Sequence, residues 1–173
     1  MKSALVVVLL TAAAFAQDPA AVTAAKAACG PASVRFDARQ DTTQHPTPDP
    51  DPGKAMVYVV QSLGEIECTS CLLTKAAVDG AWVGANQGSS YLFFSAEPGE
   101  HHICVNWQSR LQIRSQALAL ANFTAEAGHT YYFRVRLSES RVIYVFDLDP
   151  INSDEGKLLV ASSGLSVSHP RSK

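Results

Sequence analysis

The motif with the most specific chemistry in this chain is the pair of cysteines in Cys68-Thr69-Ser70-Cys71. A C-x-x-C pair can act as a redox dithiol, supply half of a zinc site, or close a local disulfide. A redox pair would stand at the start of a helix, whereas these cysteines follow Gly64–Glu67 in a predicted loop. Zinc would require Cys29 and Cys104 to converge on the same point. We therefore favour a structural disulfide and keep the redox site as the alternative.

The remaining cysteines predict a second, longer bridge. Four cysteines allow three pairings, and their spacing does not choose among them. On a predicted strand, Ile103 and Val105 point to the core, so Cys104 points outward. An outward cysteine can meet a segment that crosses the outside of the sheet, and Cys29 lies in such a segment. We favour Cys29–Cys104 and Cys68–Cys71, which stabilise the fold by about 4 and about 2 kcal/mol respectively.

Four arginines and one tryptophan are candidate binding residues. Arg134 and Arg136 share the polar face of one strand and could bind a carboxylate or phosphate. Arginines on such a face are more often solvated or paired with acidic side chains. Arg110 and Arg114 fall in a predicted loop, where binding residues often lie. Trp107 either packs in the core or offers its ring to a ligand.

No set of residues in the sequence predicts catalysis. His101 and His102 are neighbours on one strand, so their rings face opposite sides and do not readily share a metal ion. The sequence has no G-x-S-x-G, H-E-x-x-H or P-loop motif, and no spacing singles out a serine–histidine–aspartate triad. We predict no catalytic residue, no bound metal and no cofactor.

Short runs of residues that are either continuously apolar or alternate between apolar and polar predict the strands that carry these residues. Asp79-Gly80 is the preferred pair for a two-residue hairpin turn, since both positions need positive φ. Glu97–Glu100 is a second turn signal. The predicted strands are Met56–Val60, Ala76–Val78, Ala81–Val83, Tyr91–Ala96, His101–Trp107, Leu118–Thr124, Tyr131–Leu137 and Val142–Leu148. Six to eight such strands predict a mainly β protein, an antiparallel β-sandwich over residues 54–169.

The ends of the chain carry different patterns. Asp18–Ala28 predicts a short N-terminal helix, capped by Asp18 and ended by a Gly-Pro pair. Arg39–Gly53 contains four alternating prolines, so residues 17–53 are predicted to be this helix followed by a semi-stiff arm of polyproline geometry. Asn152 predicts the cap of a C-terminal helix that stops at Gly164, with an edge strand as the rival prediction.

The first sixteen residues predict export. Lys2 precedes the apolar run Leu5–Leu10, and Ala14-Phe15-Ala16 is the small-x-small pattern of a signal peptide cleaved before Gln17. The apolar run is too short to span a bilayer, and no later segment predicts a transmembrane helix. The 173 residues are 47% hydrophobic and carry a net charge of -2, which argues against disorder and against nucleic-acid binding.

Three further runs resemble known exported domains. Val78–Gly84, Gly88 to Tyr91 and Glu97–His101 resemble the PEGA-type β-sandwich. More closely, Cys29–His169 resembles a bacterial family of exported domains of unknown function, family 2846, through the runs Gly99–Ser109, Phe123–Arg136 and Asn152–Ser163. The resemblance implies a small exported sandwich. It implies no activity and no functional residues.

Together these features predict a non-enzymatic module of the periplasm or the extracellular space. Its partner would be a protein, peptide or glycan of the cell envelope, bound by a sheet face or by loops. The alternative function is a thiol–disulfide redox protein that uses Cys68 and Cys71.

Overall fold

The computed structural model describes residues 19–62, 72–108, 118–140 and 143–171, which form ten strands and two helices. The helices are α1 (Pro19–Lys26) and α2 (Ser153–Ser162). The strands are β1 (Phe36–Asp41), β2 (Ala55–Ser62), β3 (Leu73–Val78), β4 (Ala81–Gln87), β5 (Ser90–Ala96), β6 (Gly99–Trp107), β7 (Leu118–Ala125), β8 (Thr130–Ser140), β9 (Ile143–Ile151) and β10 (Gly164–Pro170). The predicted mainly β fold with a helix near each end is confirmed.

The strands form two sheets that pack face to face. The six-stranded sheet has the order β1-β10-β5-β2-β8-β9, and the four-stranded sheet has the order β4-β3-β6-β7. The four-stranded sheet is antiparallel throughout. The larger sheet contains two parallel pairs, β10 with β5 and β2 with β8. The sandwich is therefore mainly antiparallel, but it contains two parallel strand pairs that were not predicted from the sequence.

Strand β2 is buried on both of its faces, which explains its continuous apolar run. Val57 and Val59 face the four-stranded sheet and pack in the main core with Ile103 and Val105. The alternate side chains of β2 enter a second apolar cluster on the outer face of the six-stranded sheet. That cluster comprises Met56, Tyr58, Val60, Tyr91, Tyr132 and Val160.

Helix α2 covers part of the second cluster. The Asn152 side chain accepts hydrogen bonds from the N–H groups of Asp154 and Glu155, so the predicted cap is confirmed. A Cβ at Gly156 would overlap the Tyr132 ring, so only glycine lets the helix lie so close to the sheet. The chain then enters β10 at Gly164, so both rival predictions for the tail occur, one after the other.

The beginning of the predicted arm belongs to the sandwich. Strand β1 pairs antiparallel with β10 from Phe36 to Asp41 and overlaps the segment that was assigned to a connector. The Gln108 side chain accepts from the N–H of Phe36 and donates to its carbonyl, as a neighbouring strand would. The arm assignment was wrong for residues 39–41, because this strand is polar and only Phe36 is fully buried.

Candidate functional site

The N-terminal segment, residues 19–34, is tied to the outer face of the four-stranded sheet. Cys29 and Cys104 form a disulfide with an S–S distance of 2.07 Å and a Cα–Cα distance of 5.1 Å. This confirms the predicted bridge and the outward direction of Cys104 on β6. One residue before Cys29, the Ala28 carbonyl accepts a hydrogen bond of 3.0 Å from the N–H of Gly80 in the β3–β4 turn.

A tryptophan and a lysine hold the part of this segment that follows Cys29. The Trp82 Nε1 donates to the Pro31 carbonyl at 2.9 Å, and its ring lies where a Cβ at position 30 would be, so Gly30 makes the contact feasible. Lys75 Nζ donates to the Val34 carbonyl at 2.8 Å and lies 4.1 Å from the centroid of the Trp82 ring. Burial lowers the pKa of Lys75. The segment is thus fixed across β3, β4 and β6.

A cavity of about 640 Å³ opens where this segment meets β6 and β7, and we call it the outer cavity. Its volume falls in the range of small-ligand pockets, roughly 300–1,000 Å³. His102 on β6 and Asn122 on β7 are register partners, so their side chains lie next to each other. The lining residues are Ala27, Ala28, Asp79, His102, Leu120, Ala121 and Asn122. The described part of the lining therefore combines apolar side chains with the polar side chains of Asp79, His102 and Asn122.

The carboxylate of Asp79 is already engaged by its neighbours. Its Oδ1 accepts from the N–H of His102 at 2.9 Å, and its Oδ2 lies 2.6 Å from Nδ1 of His101. The other ring nitrogen of His101 lies 2.7 Å from the Glu97 carbonyl. Because a carbonyl oxygen only accepts, this nitrogen must donate, and the two contacts together favour the doubly protonated ring.

The electrostatics of this pair are those of a structural clamp. Burial disfavours the charged imidazolium, but the hydrogen bonds to Asp79 and Glu97 outweigh it and raise the pKa of His101. Burial likewise opposes the charge of Asp79, while the hydrogen bonds from His102 and His101 lower the pKa of that carboxyl. Both ring nitrogens of His101 are occupied, so this Asp–His pair holds the turn between β3 and β4 and does not offer a general base.

We expect this clamp to make stability depend on pH. The raised pKa of His101 adds stability that is complete below its ordinary value of 6.5 and is lost as pH rises through the folded pKa. The lowered pKa of Asp79 adds stability that is lost as pH falls below 3.8. Urea unfolding should therefore show greater stability at about pH 5.5 than at about pH 8.5.

A His101→Gln variant should lose most of this difference between the two pH values. The matched control is His102→Gln, since the exposed His102 side chain makes neither bond to Asp79 and Glu97. An unchanged pH dependence in His101→Gln would show that other groups produce it.

Arg134 and Arg136, two of the residues predicted to bind a ligand, are paired with acids. Arg134 Nη1 donates to Glu155 of α2 at 3.0 Å, and Arg136 Nε donates to Asp149 of β9 at 3.1 Å. Both arginines lie on the outer face of the six-stranded sheet, across the sandwich from the outer cavity. The structure therefore separates these two residues from the cavity.

Trp107, another predicted site residue, does not line the outer cavity. The Trp107 ring packs against the main core, with its centroid 5.8 Å from that of Phe146. Four predicted residues lie outside the described part of the chain: Arg110, Arg114, Cys68 and Cys71. Leu120 and Asn122 were not predicted as site residues, although their alternation with the more buried Ala119, Ala121 and Phe123 indicated that they point outward.

Among the described residues, no group of three or more histidine, cysteine, aspartate or glutamate side chains could hold a metal ion. In the same part of the chain, no helix is long and apolar enough to cross a membrane. Comparison with known proteins found no matching family model, no matching curated protein and no matching solved structure.

Proposed function

We propose that this protein is an exported, non-enzymatic binding module that holds a peptide or protein of the cell envelope in the outer cavity. The observation that carries the proposal is the construction of the cavity, which has one wall held by the Cys29–Cys104 disulfide. Preorganised walls lower the entropic cost of binding. Leu120 and the alanines would contact apolar groups of the ligand, while His102 and Asn122 would hydrogen-bond to its backbone.

Two features support the compartment and the ligand class. A disulfide between distant segments is compatible with an oxidising compartment, and the predicted signal peptide at residues 1–16 points the same way. The resemblance to exported sandwich domains agrees with this. Among the described residues, those that line the cavity include no aromatic ring on which a sugar could stack, so we favour a peptide over a glycan.

The test is a binding screen with a library of capped pentapeptides and, separately, with peptidoglycan oligosaccharides. Wild-type protein should retain a subset of the peptides, and Leu120→Lys should bind them at least about ten-fold more weakly, because a charge enters an apolar pocket. Leu158→Lys is the matched control, since Leu158 is an exposed leucine of α2 on the opposite side of the sandwich.

Retention by the Leu120→Lys variant equal to that by wild type would overturn the assignment of the cavity. Retention of the oligosaccharides in place of the peptides would overturn the assignment of the ligand.

A further inference from the structure

The part of the predicted arm that follows β1 lies on the outer face of the six-stranded sheet. We call residues 42–53 the proline strap. The Tyr91 hydroxyl donates to the Pro46 carbonyl at 3.1 Å, and the Tyr58 hydroxyl donates to the Pro48 carbonyl at 3.5 Å. Farther along the strap, the Ser95 hydroxyl donates to the carboxylate of Asp51 at 2.7 Å. The strap is therefore docked on the sheet and does not stand as a spacer.

The contacts of the strap follow the repeat of the sheet beneath it. Tyr91 pairs in register with Val60, and Tyr58 pairs with Phe93, so the two tyrosines stand on neighbouring rows of the outer face. The carbonyls of Pro46 and Pro48, two residues apart in the strap, therefore meet side chains on successive rows.

The surface under the strap is aromatic. The Tyr58 ring centroid lies 5.6 Å from that of Phe93 and 6.2 Å from that of Tyr91, and the ring stacks on Tyr132 at 5.1 Å. Neighbouring rings with hydroxyl donors at their edges make the kind of surface that proline-rich segments occupy, because the rings pack on prolines and the hydroxyls reach the carbonyls between them.

The strap covers this surface with few buried contacts of its own. Within residues 42–53, only Pro46 and Pro50 are half-buried, and the other residues are exposed. Tyr58 and Tyr91 are nevertheless only 2% and 0% exposed. A segment with little buried area opens at low free-energy cost.

The two ends of the strap limit how it can open. Upstream, β1 pairs with β10 and the disulfide fixes Cys29 to the other sheet. Downstream, the chain enters β2 in the interior of the six-stranded sheet. The strap can therefore lift as a loop, but exchange with a second copy would require β1 to leave its sheet and the disulfide to break.

We propose that the groove formed by Tyr58, Tyr91 and Phe93 binds an extended proline-rich peptide of a partner protein, and that the proline strap is its displaceable occupant within the chain. The ligand has prolines at alternate positions, as the strap has, so that its carbonyls accept from the two tyrosine hydroxyls. This groove lies on the opposite side of the sandwich from the outer cavity and does not depend on the function proposed for it.

The probe is a synthetic peptide with the sequence of residues 42–53, titrated by calorimetry and by NMR. A Pro46→Ala/Pro50→Ala variant weakens the strap, so a larger fraction of molecules has an open groove. The peptide should bind this variant about ten-fold more tightly than wild type, since apparent affinity scales with the competent fraction. Adding Tyr58→Phe and Tyr91→Phe should weaken binding about five-fold or more, because the rings remain but the hydroxyl donors are lost.

Two controls make the result decisive. A peptide with all four prolines replaced by alanine should not bind, and a Ser95→Ala variant, which removes only one exposed contact of the strap, should bind the proline peptide with intermediate affinity. If the folded Ser95→Ala and proline variants show no shift of the Phe93 amide at millimolar peptide, the face serves only to pack the strap. Equal binding of the alanine peptide would also overturn the proposal.

Discussion

Replacing Cys29 and Cys104 together by serine is expected to lower the free energy of unfolding by about 4 kcal/mol. The two residues are 75 positions apart, so the bridge removes a large amount of chain entropy from the unfolded state. The N-terminal segment would also lose its covalent attachment to the sheet and be held there by weaker contacts, among them the hydrogen bonds at Gly80, Trp82 and Lys75.

Urea unfolding of the double variant and of wild type measures this cost directly. The control is Trp82→Phe, which keeps a ring over Gly30 but removes the hydrogen bond to Pro31, and which should cost about 1 kcal/mol. The double serine variant should also lose the peptides retained by the outer cavity, since Ala27 and Ala28 form one wall. A loss of stability no larger than that of Trp82→Phe would contradict this account of the bridge.

Local chemistry was sufficient to predict several elements. Asp79 and Gly80 have φ angles of 50° and 83°, which are the positive values that the predicted two-residue turn requires. The alternation around Cys104 placed its side chain outward, and from that the bridge to Cys29 followed. In each case the deciding information lay within a few residues, where steric limits and side-chain alternation act directly.

The missed features depend on which distant segments meet. Periodicity shows that β2 is buried, but it does not show that β2 pairs in parallel with β8. Strand β1 is polar and is recognised only through its partners β10 and Gln108. The outer cavity requires the register that sets His102 beside Asn122, together with the place where the N-terminal segment crosses the sheet. None of these is encoded in a short pattern.

Both candidate sites arise because one stretch of chain wraps the sandwich. Residues 19–34 cover the outer face of the four-stranded sheet, and residues 42–53 cover that of the six-stranded sheet, with β1 between them. The N-terminal segment is held by a disulfide bond, whereas the proline strap is held by a few hydrogen bonds. This difference in attachment explains why we assign a preformed cavity to one face and a displaceable segment to the other.

The second large effect is expected at Gln61, which joins the two sheets through a buried polar network. Its Nε2 donates to the Gly88 carbonyl at 2.8 Å and to the Leu72 carbonyl at 3.3 Å, and its Oε1 accepts from the Thr74 hydroxyl. Gln61 is fully buried. Asn86 adds a bond of 3.0 Å to the Val59 carbonyl, so hydrogen bonds as well as apolar contacts link β2 to the β3–β4 hairpin.

A Gln61→Leu variant keeps the volume of the side chain but removes all three hydrogen bonds. The Leu72 carbonyl still accepts from the N–H of Gly88, so the cost falls mainly on the Gly88 carbonyl and the Thr74 hydroxyl. Each of these two buried groups costs about 1–3 kcal/mol when it has no partner. The free energy of unfolding measured in urea should therefore be about 4 kcal/mol lower in the variant than in wild type. Gln40→Leu is the matched control, because this exposed glutamine donates to the neighbouring Ser89 carbonyl, and its loss should cost less than about 1 kcal/mol. Similar losses in the two variants would contradict this expectation and show that the Gln61 hydrogen bonds contribute little to the free energy of unfolding.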